Sequence, residues 1–164
     1  MMESLSAVLE PDVVPPAIAG AKADIQEKPA ERTFREKPKE SLRVLLVDDD
    51  PIDLRLNRAL LEREGIDVVA LSDWGKVNEE LFGTGPGVQL AFIDVLMPEV
   101  RGDFLVRMMK ETPRGRQLPW IIISSLPEST LSQKARFCGA DGWIQKPLTG
   151  ESIREIVKRF FPEE

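Results

Sequence analysis

The chain has 164 residues, 42% hydrophobic and 30% charged, with a formal net charge of -6, which bounds it to one ordinary domain plus additional chain length. An acidic balance with no basic run argues against a charge-driven grip on nucleic acid or an anionic membrane, leaving room only for a local basic patch, and no apolar run approaches the roughly 20 residues that span a bilayer. A lone cysteine, Cys138, permits no internal disulfide and fits a reducing cytoplasm, while the absence of histidine removes His-based triads, HExxH zinc sites and a histidine phosphodonor of the chain's own.

Residues 1–40 carry Pro11, Pro15, Pro16, Pro29 and Pro38 and mix charges of both signs from Ala23 onward. Such a stretch buries too little apolar area to offset its ordering entropy, so it is expected to be a disordered or weakly structured tail ahead of a domain over 41–164. A short apolar cluster, Leu5, Ala7, Val8 and Leu9, could dock on a partner, and the absence of a basic n-region argues against a signal peptide.

From Leu42 the texture becomes short apolar runs alternating with amphipathic stretches. LRVLLV reads as a buried strand. Pro51 then suits the first turn of a helix capped by Asp50, in which Ile52, Leu56, Ala59 and Leu60 share a face and Gly65 is the stop. DVVAL is a second strand, and Asp73 caps a helix carrying Trp74, Val77 and Leu81. VQLAFI is a third strand, and Asp103 is expected to cap a helix through Met109. PWIIIS is a fourth strand, followed by a helix from Glu128 to Cys138 that Gly139 stops. GWIQ is a short fifth strand, and Thr149 caps a last helix to about Phe160. Five β/α repeats with buried strands predict an α/β fold, a five-stranded parallel sheet with helices on both faces.

In such sheets functional residues gather beyond the carboxyl ends of the strands. Reading those ends yields Asp48, Asp49 and Asp50, then Asp94, then Ser124-Ser125, then Lys146-Pro147. Carboxylates packed together repel, and a hard divalent cation such as magnesium relieves the repulsion with a few carboxylates plus water and phosphate oxygens. An aspartate beside such an ion can act as a nucleophile toward phosphorus, with a hydroxyl and an ammonium on the phosphoryl oxygens. Each residue alone has a blander reading, a helix cap or a loop hydroxyl. Their joint appearance at matching strand ends is what carries weight.

VLLVDDDP, FIDVLMP, IIISS and GADGWIQKP, in that order, resemble the receiver domains of two-component response regulators, over Leu42 to about Phe161. The resemblance implies a flavodoxin-like sheet of order 2-1-3-4-5. It implies Asp94 as phospho-acceptor, with Mg2+ held by Asp48, Asp49, Asp94 and the backbone carbonyl of Leu96. Ser124 and Lys146 would bind the phosphoryl group, Trp143 would be the switch aromatic, and Pro147 would follow a cis peptide bond. A sensor histidine kinase or phosphotransfer protein is the implied phosphodonor. Output would run through an unknown protein target, without nucleic acid or membrane, and a phosphorylation-dependent homodimer is among the contacts allowed. Such a domain is no turnover enzyme: it catalyses only its own Mg-dependent aspartyl phosphorylation and dephosphorylation.

Three departures stand out: Arg101 replaces the usual Asp before Gly102, Ser125 a common Ala, and Trp143 the usual Tyr or Phe. Two other functions compete with this one. A phosphorylation-independent scaffold is opposed by the intact acids and Lys146. A magnesium-dependent phosphohydrolase of the haloacid-dehalogenase type would want an acid where Leu96 stands. The glycines of GTGPG at 83–87 precede a strand rather than opening a helix, so they form no phosphate cradle.

Overall fold

The computed structural model describes residues 41–163, so the expectation of a disordered tail over 1–40 lies outside the described residues. Each apolar run forms a strand: β1 (Arg43–Val47), β2 (Asp67–Leu71), β3 (Leu90–Asp94), β4 (Trp120–Ser124) and β5 (Gly142–Gln145). All pair in parallel in the order β2-β1-β3-β4-β5. The strands read as continuous apolar runs because both faces of the sheet are covered. On one face Val44, Leu46, Phe92, Ile121 and Ile123 meet α1 (Pro51–Arg63) and α6 (Gly150–Phe160) through Leu61, Ile153 and Ile156. On the other, Leu45, Val47, Ile93, Ile122 and Trp143 meet α2 (Val77–Phe82), α3 (Gly102–Lys110) and α5 (Glu128–Cys138). Ile121, Ile122 and Ile123 are fully buried, and each contributes about 1.5–3 kcal/mol of hydrophobic stabilisation.

The helix ends follow local chemistry. Asp50 accepts from the backbone N–H groups of Ile52 and Asp53 ahead of Pro51. Gly139 ends α5 at φ 76°, a left-handed conformation that glycine adopts without a Cβ penalty. Thr149 and Ser152 form a reciprocal capping box at the start of α6.

Three local expectations need correction. The face of α1 turned to the core carries Leu54, Asn57 and Leu61, while Ile52 and Leu56 are exposed along with Ala59. Asp103 is not the cap of α3: Arg101 holds that position, and Asp103 lies inside the first turn, 1% exposed. The Asp73-capped segment opens as a 3-10 turn, Trp74–Lys76, before α2. A further short helix, α4 (Pro113–Gln117), follows α3 with Thr112 as its cap.

Candidate functional site

The parallel register brings the strand ends level. Val47 lies opposite Ile93, Asp94 opposite Ile123, and Ser124 opposite Gln145. Asp48, one residue past β1, therefore stands beside Asp94 at the end of β3, and Lys146, one past β5, reaches across the same edge. Lys146 Nζ donates to Asp48 Oδ2 at 3.2 Å, to Asp94 Oδ2 at 3.0 Å and to Asp53 Oδ2 at 2.7 Å. The Lys146–Pro147 peptide bond is cis.

Backbone N–H groups fix the other oxygens of Asp48 and Asp94. Asp50 N–H donates to Asp48 Oδ1 at 3.0 Å, and Leu96 N–H to Asp94 Oδ1 at 2.9 Å. Gly102 closes the loop behind the acid: its N–H donates to Val95 O at 3.0 Å, and a Cβ there would collide with the Asp94 carbonyl oxygen. Glycine is thus required where α3 starts, by close approach rather than by φ. The residue before it, Arg101, pairs with buried Asp103 at 2.8 Å.

Electrostatics mark the cluster as short of positive charge. Burial pushes the Asp48 carboxyl from 3.8 up to about 6, reinforced by the negative charge of Asp94 and opposed by the Asp50 N–H and Lys146. Burial alone would lower the Lys146 ammonium, but its hydrogen bonds to Asp53 and Asp94 and the charges of Asp94 and Asp48 outweigh burial and raise it. Carboxylate oxygens of Asp48, Asp53 and Asp94 lie within 4.8 Å of one another. Such an all-oxygen set with surplus negative charge suits a hard divalent cation.

The other predicted residues divide into two groups. Asp49 is half-buried and lines the open cleft above the cluster, about 630 Å³, with Asp50, Ile52, Leu96, Pro98 and Ser125. Ser124 is fully buried behind it, its Oγ accepting from Leu126 N–H at 3.2 Å, so Ser125 is the hydroxyl residue at the cleft. Trp143 is fully buried in the core beneath α5, and its indole N–H has no hydrogen-bond partner among the described residues. Asp53 escaped the sequence reading because it sits in a helix, where an acid in the first turn is ordinarily a dipole partner. The signal was present in the spacing: a residue five past the strand-end acid, one turn into a helix that starts at the same edge.

A family model described as the response regulator receiver domain matches residues 44–158. The chain is 34% identical over 116 residues to the two-component response regulator ORR7 of Oryza sativa subsp. japonica, covering 71% of this chain and 55% of that protein. It thus spans about half the length of that relative. Among solved structures, the chemotaxis protein CheY4 of Vibrio cholerae aligns with TM-score 0.66 at 21% identity, over 74% of this chain and 99% of that one. The receiver domain of sensor histidine kinase PA1611 from Pseudomonas aeruginosa, with a magnesium ion coordinated in its active-site cleft, aligns with TM-score 0.65 at 19% identity, over 73% and 97%. At these identities the two structures speak for the fold.

Proposed function

The chain belongs to the response regulator receiver domain family, and from that premise we propose that Asp94 accepts a phosphoryl group from the phosphohistidine of a partner kinase or phosphotransfer protein. The observation that carries this reading is the convergence of Asp48, Asp94 and Lys146 at one edge of the sheet, beneath an open cleft. Asp94 Oδ1 is held by Leu96 N–H, which presents the carboxylate toward the cleft. One of its oxygens attacks phosphorus in line, forming the P–O bond as the P–N bond to the donor imidazole breaks.

Asp48, Asp94 and Asp53, with Asp49 at the rim, are the side chains that would hold Mg2+. That ion would neutralise charge on the transferring phosphoryl oxygens. Lys146 turns its ammonium from the carboxylates to a phosphoryl oxygen, supplying a fixed positive charge where charge builds up. Exposed Ile52 and Leu96 at the cleft, with Leu56 exposed one turn further along α1, offer apolar contact to the donor protein. The rings and hydroxyls behind the site would carry the signal outward: Ser124 moves toward the phosphoryl group, and Trp143 repacks beside β4. In this state Trp143 is already inside, so its movement is a shift within the core rather than an entry from solvent.

Acetyl phosphate with Mg2+ should add one phosphoryl group by intact mass, and Asp94→Asn should abolish the addition. Undiminished labelling of Asp94→Asn would place the acceptor elsewhere. For the switch, beryllofluoride with Mg2+ should change tryptophan emission in the wild type and much less in Trp143→Phe. An unchanged response in that variant would assign the signal to Trp74 or Trp120.

A further inference from the structure

Among the exposed large hydrophobic residues, three gather on one surface away from the cleft. Phe104 and Met108 on α3 and Phe137 on α5 are 45%, 52% and 50% exposed. Phe104 and Phe137 meet edge to face with ring centroids 5.8 Å apart. Arg101 covers the Phe104 ring at 5.0 Å and Arg107 the Phe137 ring at 4.6 Å. The core alone does not require these rings at the surface, and a contiguous exposed apolar patch marks an interaction site.

The patch is also positive, in a chain whose net charge is -6. Arg101 and Lys134 flank Asp103, whose single negative charge is buried between them at 2.8 and 3.5 Å. Arg107 pairs with no carboxylate among the described residues. Of the exposed acids on these two helices, Glu111 caps the C-terminal end of α3 and Glu128 opens α5, so both stand at helix ends. A fitting occupant carries apolar anchors and negative charge.

The chain contains such a segment. Residues 1–21 hold Glu3, Glu10 and Asp12 and no lysine or arginine. Leu5, Val8 and Leu9 recur there at i, i+3 and i+4, the anchor spacing of a helix laid on an apolar surface. We propose that residues 3–14 dock on the Phe104–Met108–Phe137 surface of the same molecule, with Glu10 and Asp12 facing Arg101 and Arg107. Residues 15–41 can span up to about 3.3 Å each, several times the roughly 14 Å radius of gyration of a domain this size. Tethering favours this occupant over a free partner, since it supplies an effective concentration on the order of millimolar.

Met108 lies within the surface and reports its coverage by hydrogen peroxide oxidation, read by peptide mass, with buried Met97 and Met109 as internal references. In the full chain, Met108 should oxidise about three- to tenfold more slowly than in a Leu5→Asp, Val8→Asp, Leu9→Asp variant, the protection a millimolar effective concentration gives a contact of sub-millimolar Kd. Arg107→Glu should lose the protection, and adding Glu10→Lys with Asp12→Lys should restore it. Protection should survive 100-fold dilution. Equal Met108 rates in wild type and the triple variant, at equal melting temperature, would overturn the proposal. So would protection that vanishes on dilution, which would make the occupant a second copy of the chain.

Discussion

Asp103 and Asp94 are both almost wholly buried, at 1% and 5% exposure, and both lie near the start of α3. Their surroundings obey opposite charge rules. Asp103 is one carboxylate between two cations, Arg101 and Lys134. Asp94 shares a single cation, Lys146, with Asp48 and Asp53. A buried charge must be paired or it destabilises the fold. The first site meets that demand within the chain, so it reads as a structural tie between α3 and α5. The second leaves it unmet, so a cation and an incoming phosphoryl group can complete it. Burial of an acid is therefore uninformative by itself; the ratio of charges around it separates scaffold from site.

The largest effect is expected at Asp103. Asp103→Ala removes the acid and leaves Lys134 without its carboxylate, so it should cost about 3 kcal/mol, close to the lower range for breaking a buried ion pair. For a domain of this size that lowers the melting temperature by about 10 °C. Differential scanning calorimetry checks it, and a loss under a few degrees would mean the tie is ornamental.

The next effect lies in the opposite direction. The Asp48 carboxyl stands at about 6 in the folded protein against 3.8 for the ordinary group. The folded state thus favours its protonated form. Its contribution to stability is full below pH 3.8 and is lost as pH rises through about 6. In magnesium-free buffer the melting temperature should fall across that window, and Asp48→Asn should flatten the fall, gaining a few degrees above pH 7. Because a cation takes the deprotonated carboxylate, the rise in melting temperature on adding Mg2+ should grow between pH 5 and 7. A magnesium effect that does not vary with pH would move the ion away from Asp48.

The smallest effect is expected at Asp53. Its bond to Lys146 is the shortest of the three at 2.7 Å, but its side chain is 39% exposed. Solvent screening limits such a pair to about 1 kcal/mol or less, so Asp53→Asn should shift the melting temperature by no more than a few degrees. A loss as large as that of Asp103→Ala would show that Asp53 belongs to the scaffold side of the comparison.

The strands, their parallel sense and the edge where polar residues collect were legible in the sequence, because apolar runs of strand length repeat and end at acids, hydroxyls or a lysine; the order of the strands was implied only by the resemblance to receiver domains. Asp48, Asp94 and Lys146 could be named from those ends alone, since a strand dictates where its next residue emerges. What lay on helices and loops was not fixed in this way. The face of α1 turned to the sheet depends on how Leu54, Asn57 and Leu61 settle against it, and that rotation brings Asp53 to Lys146 while exposing Ile52 and Leu56. Likewise only the packing of α3 against α5 made Asp103 an interior ion pair rather than a cap, and only the depth of β5 beneath α5 put the Trp143 ring in the core. Local pattern sets the backbone's course, whereas the direction of a side chain on a helix is chosen by the neighbour it packs against.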